Sequence, residues 1–178
     1  MHRDLKPENC LITEYLVCKL SDFGESRAVD FDGDMTIVGS PYFMAPEVFR
    51  GEAYDESCDL FSLALLIASM GVVNGKVTYV LSKEAREGKK LTQMQKQRLS
   101  GMGVANRHAR GWRADLSWFA RPDGGCWPPE MRRLIERCWE KDRRKRPTIN
   151  SIAKEIDGWT GSMFVKEWTV FQGKDDGV

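Results

Sequence analysis

His2-Arg3-Asp4-Leu5-Lys6-Pro7-Glu8-Asn9 is the stretch from which the chain can be read. Acidic and basic groups alternate around Pro7, which interrupts any helix, so the segment is predicted to be a rigid loop that holds several polar groups in one place. Polar loops of this kind are where sites occur. Working outward, Leu11, Val17, Cys18 and Leu20 flank the polar tip Thr13-Glu14-Tyr15, a pattern that predicts two short strands and a turn. Ser21-Asp22-Phe23-Gly24 follows at once, and a glycine after an acidic residue permits a sharp change of chain direction. Such a hairpin would carry Asp22 back towards Asp4 and Asn9.

That return brings chemistry together. Asp4, Asn9 and Asp22 are oxygen donors, and carboxylates with an amide oxygen suit a hard cation such as magnesium that carries substrate phosphates. Lys6 adds a positive charge to the same place. Taken singly, each residue is an ordinary solvated loop group. Taken together, a base, a phosphate-facing cation and metal ligands on one hairpin are the parts that phosphoryl transfer requires.

Composition sets bounds on everything else. With 178 residues and 42% hydrophobic content, the chain can bury one ordinary core. The formal net charge of +1 gives no global attraction to nucleic acid or to an anionic membrane. Cys10, Cys18, Cys58, Cys126 and Cys138 are odd in number and contain no Cys-x-x-Cys pair, which argues against a disulfide framework or a zinc site and for a reducing, cytoplasmic setting. The N-terminus has no apolar run of a secretory signal, and the longest apolar run, residues 60–73, is shorter than the ~20 residues that span a bilayer. It is predicted to be a buried helix. No repeat, low-complexity tract or linker divides the chain.

The motifs resemble those of the eukaryotic protein kinase family. Residues 2–9 match its catalytic loop, Asp22-Phe23-Gly24 its metal-binding motif, and Ala45-Pro46-Glu47 the end of its activation segment, all in the family's order. The resemblance implies that Asp4 accepts or orients the proton of a substrate hydroxyl and that Asn9 and Asp22 hold magnesium. Lys6 would face the transferring phosphate of ATP, and Leu11 would lie near the adenine. His2 and Phe23 fall in the same motifs as support. Lys6 followed by Pro7-Glu8 resembles the serine/threonine branch, so the implied partner is a protein with a Ser or Thr acceptor.

The rest of the chain fits the same resemblance. Asp30, Asp32, Gly33 and Asp34 lie in a predicted loop. In it Thr36 matches the family's common phosphoacceptor position, where a phosphate would pair with Arg3; a simple loop arginine is the other reading of Arg3. Ser40 stands in the substrate-docking loop, where its hydroxyl would touch Asp4 and Lys6. Glu47 and Arg146 match a structural ion pair. Asp59 matches the aspartate that anchors the catalytic loop's backbone from the central helix, in which Ala64 replaces the family's usual glycine.

Residues 83–113 are rich in Lys, Arg and Gln, which suits a solvated helix-and-loop region or a face for an acidic protein partner; the lack of aromatics in its first part argues against nucleic acid. Gly111-Trp112-Arg113-Ala114-Asp115-Leu116 faintly resembles the tyrosine-kinase-like group. Trp127-Pro128-Pro129 leads into Met131, Leu134, Ile135, Cys138 and Trp139 at the spacing of an amphipathic helix, and Ile149, Ile152, Ala153 and Ile156 predict a last one.

The expected architecture is therefore mainly α, like a kinase C-lobe, with a short β-hairpin at the catalytic loop; the full kinase fold would be α+β. Residues 1–157 would form a partial kinase domain and residues 158–178 a tail with Phe164, Trp168 and Phe171. No glycine-rich phosphate loop, Val-Ala-Ile-Lys-like strand or partner glutamate helix is present in the sequence, so the family's upper lobe is not represented and Met1 reads as an internal methionine of a longer kinase. Two function classes stay open: an ATP- and Mg-dependent serine/threonine kinase when that lobe is present, or a truncated, non-catalytic protein-binding module.

Overall fold

The computed structural model describes residues 1–27, 37–70, 90–114, 116 and 128–159. Asp30, Asp32, Gly33, Asp34, Thr36, Asp115, Cys126, Trp127 and the tail aromatics Phe164, Trp168 and Phe171 lie outside the described residues. The chain divides into two compact units, Met1–Arg146 and Pro147–Val178. The expected fold class holds: among the described residues helices dominate, with one two-stranded sheet.

In the first unit, Pro7–Asn9 forms a 3-10 turn whose first position is the proline, where a missing N–H costs nothing. It leads straight into β1 (Cys10–Ile12), which pairs antiparallel with β2 (Cys18–Leu20) in the register Cys10 with Leu20, Leu11 with Lys19 and Ile12 with Cys18. Leu16 closes the turn in the left-handed region, φ 58°.

Helix α1 (Pro46–Phe49) again starts on a proline. Helix α2 (Ser57–Met70) is the centre of the unit: Cys58, Leu60, Phe61, Ser62, Ala64, Leu65, Leu66 and Ala68 are buried, so it is enclosed on most of its circumference rather than along one stripe. This matches the buried helix predicted from the apolar run, with residues 71–73 outside the described set. Ala64 is almost fully enclosed, so the added methyl group is accommodated in the core.

Helix α3 (Gln93–Arg98) opens with a capping box in which Thr92 and Gln95 each bond the other's backbone N–H. Helix α4 (Gly101–Ala109) is capped by Ser100, whose hydroxyl accepts the Gly103 N–H at 3.2 Å. Helix α5 (Pro129–Cys138) buries Leu134, Ile135 and Cys138 at helical spacing, and Trp139 closes it in a buried position. α2 packs on α5, and α1 packs on α4.

In the second unit, α6 occupies Ile149–Trp159. Of the four apolar residues that predicted it, Ile152 is buried while Ile149 and Ala153 are exposed, so its apolar face is narrower than the spacing implied. Among the described residues no helix is long and apolar enough to cross a membrane.

Candidate functional site

The loop of residues 2–9 is held from behind by α2. One Asp59 oxygen accepts the His2 N–H at 2.7 Å and the other accepts the Arg3 N–H at 2.8 Å. This pins Arg3 in the left-handed region, φ 70°, a conformation that costs a non-glycine residue of order 1–3 kcal/mol and persists only when its surroundings hold it. The His2 ring bonds the Ser21 carbonyl at 3.0 Å and lies 5.0 Å from the Phe23 ring, so a single side chain ties the loop to the end of the hairpin. Asp22 is itself left-handed, φ 59°, and its carboxylate accepts the Gly24 N–H at 3.4 Å.

Asp4, Lys6 and Asn9 form one bonded cluster. The Lys6 ammonium donates to Asp4 Oδ2 at 2.6 Å. Asn9 Nδ2 donates to the Asp4 carbonyl at 2.9 Å and to Asp4 Oδ2 at 3.3 Å. Burial pushes the Asp4 carboxyl up, but the bonds from Lys6 and Ser40 outweigh burial and leave it below its ordinary 3.8, so it is ionised at neutral pH. The Asp4 bond in turn raises Lys6 against a smaller opposing effect of burial, with added attraction from Glu8 and Asp22.

The hairpin joins Asp22 to this cluster through backbone. Asn9 O accepts the Ser21 N–H at 2.9 Å and the Ser21 hydroxyl at 3.2 Å, so the residue before Asp22 is fastened to Asn9. Because the Asn9 amide nitrogen is engaged with Asp4, its Oδ1 is the side-chain atom that could serve a cation, and the Asp22 carboxylate, one residue past Ser21, is exposed. Among the described residues no three His, Cys, Asp or Glu side chains form a self-sufficient metal cage. Hard oxygen donors in this small number fit magnesium shared with phosphate oxygens. Leu11, on β1, is 55% exposed.

Ser40 reaches the cluster through its backbone N–H, which donates to Asp4 Oδ1 at 2.7 Å. The approach depends on Gly39: at φ +92° a Cβ there would sit 2.3 Å from the Arg3 carbonyl oxygen, so only glycine lets the two segments cross. The Arg3 guanidinium bonds Tyr54 at 3.1 Å and the Glu25 carbonyl, and its predicted partner Thr36 is outside the described residues.

Glu47 and Arg146, 99 positions apart, meet as a bidentate pair at 2.5 and 2.8 Å. Both are buried, and Arg146 also bonds the Ser57 and Glu140 carbonyls. Of the predicted basic stretch 83–113, residues 90–113 are described: α3 buries no residue, whereas α4 buries Val104, Ala105, His108 and Ala109.

Sequence reasoning missed Ser21 and Tyr54. Ser21 holds Asn9 through the backbone, and Tyr54 is a buried side chain against Arg3 with no motif around it. His108 was missed as well: it is fully buried between the edge of Phe61 and the face of Trp112, and burial, with Arg113 and Arg107 nearby, pulls it down to about 3. Only packing reveals these three.

Comparison with known proteins agrees with the motifs. The model of the protein kinase domain matches residues 1–156. A probable LIM domain-containing serine/threonine-protein kinase of Dictyostelium discoideum is 30% identical over 167 residues, 93% of this chain and 22% of that protein. Serine/threonine-protein kinase 12 of Arabidopsis thaliana is 30% identical over 160 residues, 88% of this chain and 30% of that protein. Serine/threonine-protein kinase VIK of the same plant is 29% identical over 165 residues, covering 88% and 32%. The chain thus spans less than a third of the length of each of these relatives. On the extent of the domain match, this chain belongs to the protein kinase domain family.

Proposed function

We propose that the chain carries the catalytic loop and metal-binding motif of a cytoplasmic serine/threonine protein kinase of the tyrosine-kinase-like group. The observation that supports this reading most directly is the bonded cluster of Asp4, Lys6 and Asn9, with Asp22 fastened to it through Ser21. In this reading Asp4, kept ionised by Lys6 and Ser40, orients and accepts the proton of a substrate Ser or Thr hydroxyl. Lys6 faces the phosphate being transferred. Asn9 Oδ1 and Asp22 would hold magnesium, and Leu11 would border the adenine. Bound Mg-ATP supplies the phosphoryl group and neutralises its charge. Ser40 and Gly39 position the docking segment over Asp4. His2, Phe23 and Asp59 fix the loop, and Glu47 with Arg146 fixes the end of the activation segment. Thr36 would be the phosphorylated switch, with its phosphate drawing Arg3 away from Tyr54.

A second reading is a protein-binding module without catalysis. It is favoured by the exposed apolar side of the hairpin and by the wholly unburied α3 in the basic stretch, which suits an acidic protein partner. The chain should be assayed with Mg-ATP and a generic basic protein, alongside Asp4→Asn. Loss of the base should lower transfer by about 10²–10⁴-fold. Equal transfer by wild type and variant would overturn the kinase reading; no transfer by either, with retained binding of an acidic protein, would favour the second.

A further inference from the structure

Two of the cysteines that the sequence treats as unconnected are neighbours on the catalytic hairpin. In the β1–β2 register Cys18 stands opposite Ile12, and Ile12 shares a sheet face with Cys10 two residues before it, so Cys10 and Cys18 lie diagonally on one face. Both are free thiols, and after burial the neighbouring Cys18 thiol adds to the upward push on Cys10. Cys58 and Cys138, by contrast, are sealed in the helical core. Cys18 is exposed and Cys10 half-buried, so a dissolved oxidant meets Cys18 first.

We propose that Cys10 and Cys18 are a thiol pair that a peroxide converts reversibly into a disulfide across the hairpin. In the first step the Cys18 sulfur attacks one peroxide oxygen: an S–O bond forms, the O–O bond breaks, and the departing hydroxide takes up the thiol proton and leaves as water. In the second step the Cys10 sulfur attacks Cys18: the S–S bond forms, the S–O bond breaks, and hydroxide leaves with the Cys10 proton as a second water. One peroxide is reduced by the two electrons that the two thiols lose. A pair of this kind suits a reducing compartment, where disulfides are transient and signal redox state.

The bond would move the backbone. Diagonal neighbours in an antiparallel pair have Cα atoms about 7–8 Å apart, whereas a disulfide needs about 4.4–6.8 Å. Closing that gap draws Cys10, and with it Asn9, along the strand that bonds Ser21. Consequences for a metal held by Asn9 and Asp22 rest on the kinase reading. The bond itself does not, and the experiment reads the bond.

Trypsin releases both cysteines in one peptide, residues 4–19, because Pro7 blocks cleavage after Lys6. Chain 1–178 treated with hydrogen peroxide, alkylated and digested should yield this peptide two hydrogen masses lighter and carrying no alkyl group, with both alkylation sites restored by prior dithiothreitol. Cys10→Ser should leave Cys18 as a sulfenic acid trapped by dimedone, with no such peptide. Alkylation of both cysteines after peroxide, over-oxidation of Cys18 beside a free Cys10, or linkage of either to another cysteine would each overturn the proposal.

Discussion

In the hairpin Leu11, Ile12, Leu16, Val17 and Leu20 are between 46% and 68% exposed, while in α2 and α5 Phe61, Leu65, Leu134 and Ile135 have no accessible surface. The two regions belong to one unit and are held by different forces. Burial of large apolar side chains holds the helices, at about 1.5–3 kcal/mol for each side chain removed from water. The hairpin and its loop are held chiefly by polar anchors: Asp59 on two backbone amides, His2 on the Ser21 carbonyl, and Ser21 on Asn9. A region fastened at a few polar points can keep its apolar side open while its functional groups stay in place.

The contrast can be broken most forcefully at Glu47. Glu47→Ala leaves the Arg146 guanidinium buried without its carboxylate, and urea unfolding should show a loss of about 3–5 kcal/mol. A loss below about 1 kcal/mol would mean that water reaches the pair and that the helical body is not dry there.

A direct comparison of the two regions comes next. Leu65→Ala should cost about 2–5 kcal/mol, because it removes buried methyl groups and leaves a cavity. Leu11→Ala should stay within about 0.5 kcal/mol, as an exposed substitution does. Equal losses in the same assay would show that the open face of the hairpin is covered in solution.

A more gradual effect is read in acid, at His108. Its folded value, about 3, lies below the ordinary 6.5, so folding favours the neutral ring. The associated stability is complete above pH 6.5 and is lost as pH falls from 6.5 towards 3, at about 1.4 kcal/mol per pH unit. Urea unfolding of wild type and His108→Phe at pH 7, 5.5 and 4.5 should diverge in that direction, with the variant flatter. Parallel profiles would show that the ring is solvated and that the core around Phe61 admits water.

Much of the fold was legible because its signals are local. Pro7 and Pro46 start short turns where a proline loses no bond, and α5 follows the spacing of Leu134, Ile135 and Cys138. The bonded cluster was legible for another reason: Asp4, Lys6 and Asn9 lie within residues 4–9 just ahead of β1, so sequence proximity and spatial proximity nearly coincide. The weaker expectation was α6, where apolar spacing implied a broader buried face than Ile152 alone provides. Periodicity records which residues could face a core and not how much of that face is covered. Thr36 and the tail aromatics lie outside the described residues.

By itself the sequence determined the mainly helical class, the hairpin, and the residue types gathered on it, because these follow from backbone restriction, alternation and spacing over a few residues. Tertiary structure alone decided that Asp4 is engaged by the Ser40 backbone across Gly39, that Arg3 rests on Tyr54, that His108 is enclosed by Phe61 and Trp112, and that Cys10 and Cys18 share a face. The physical reason is the same in each case. A hydrogen bond to a backbone amide, a close approach without a Cβ, or a pairing register across a turn depends on where the chain returns, and no composition or local period encodes that return.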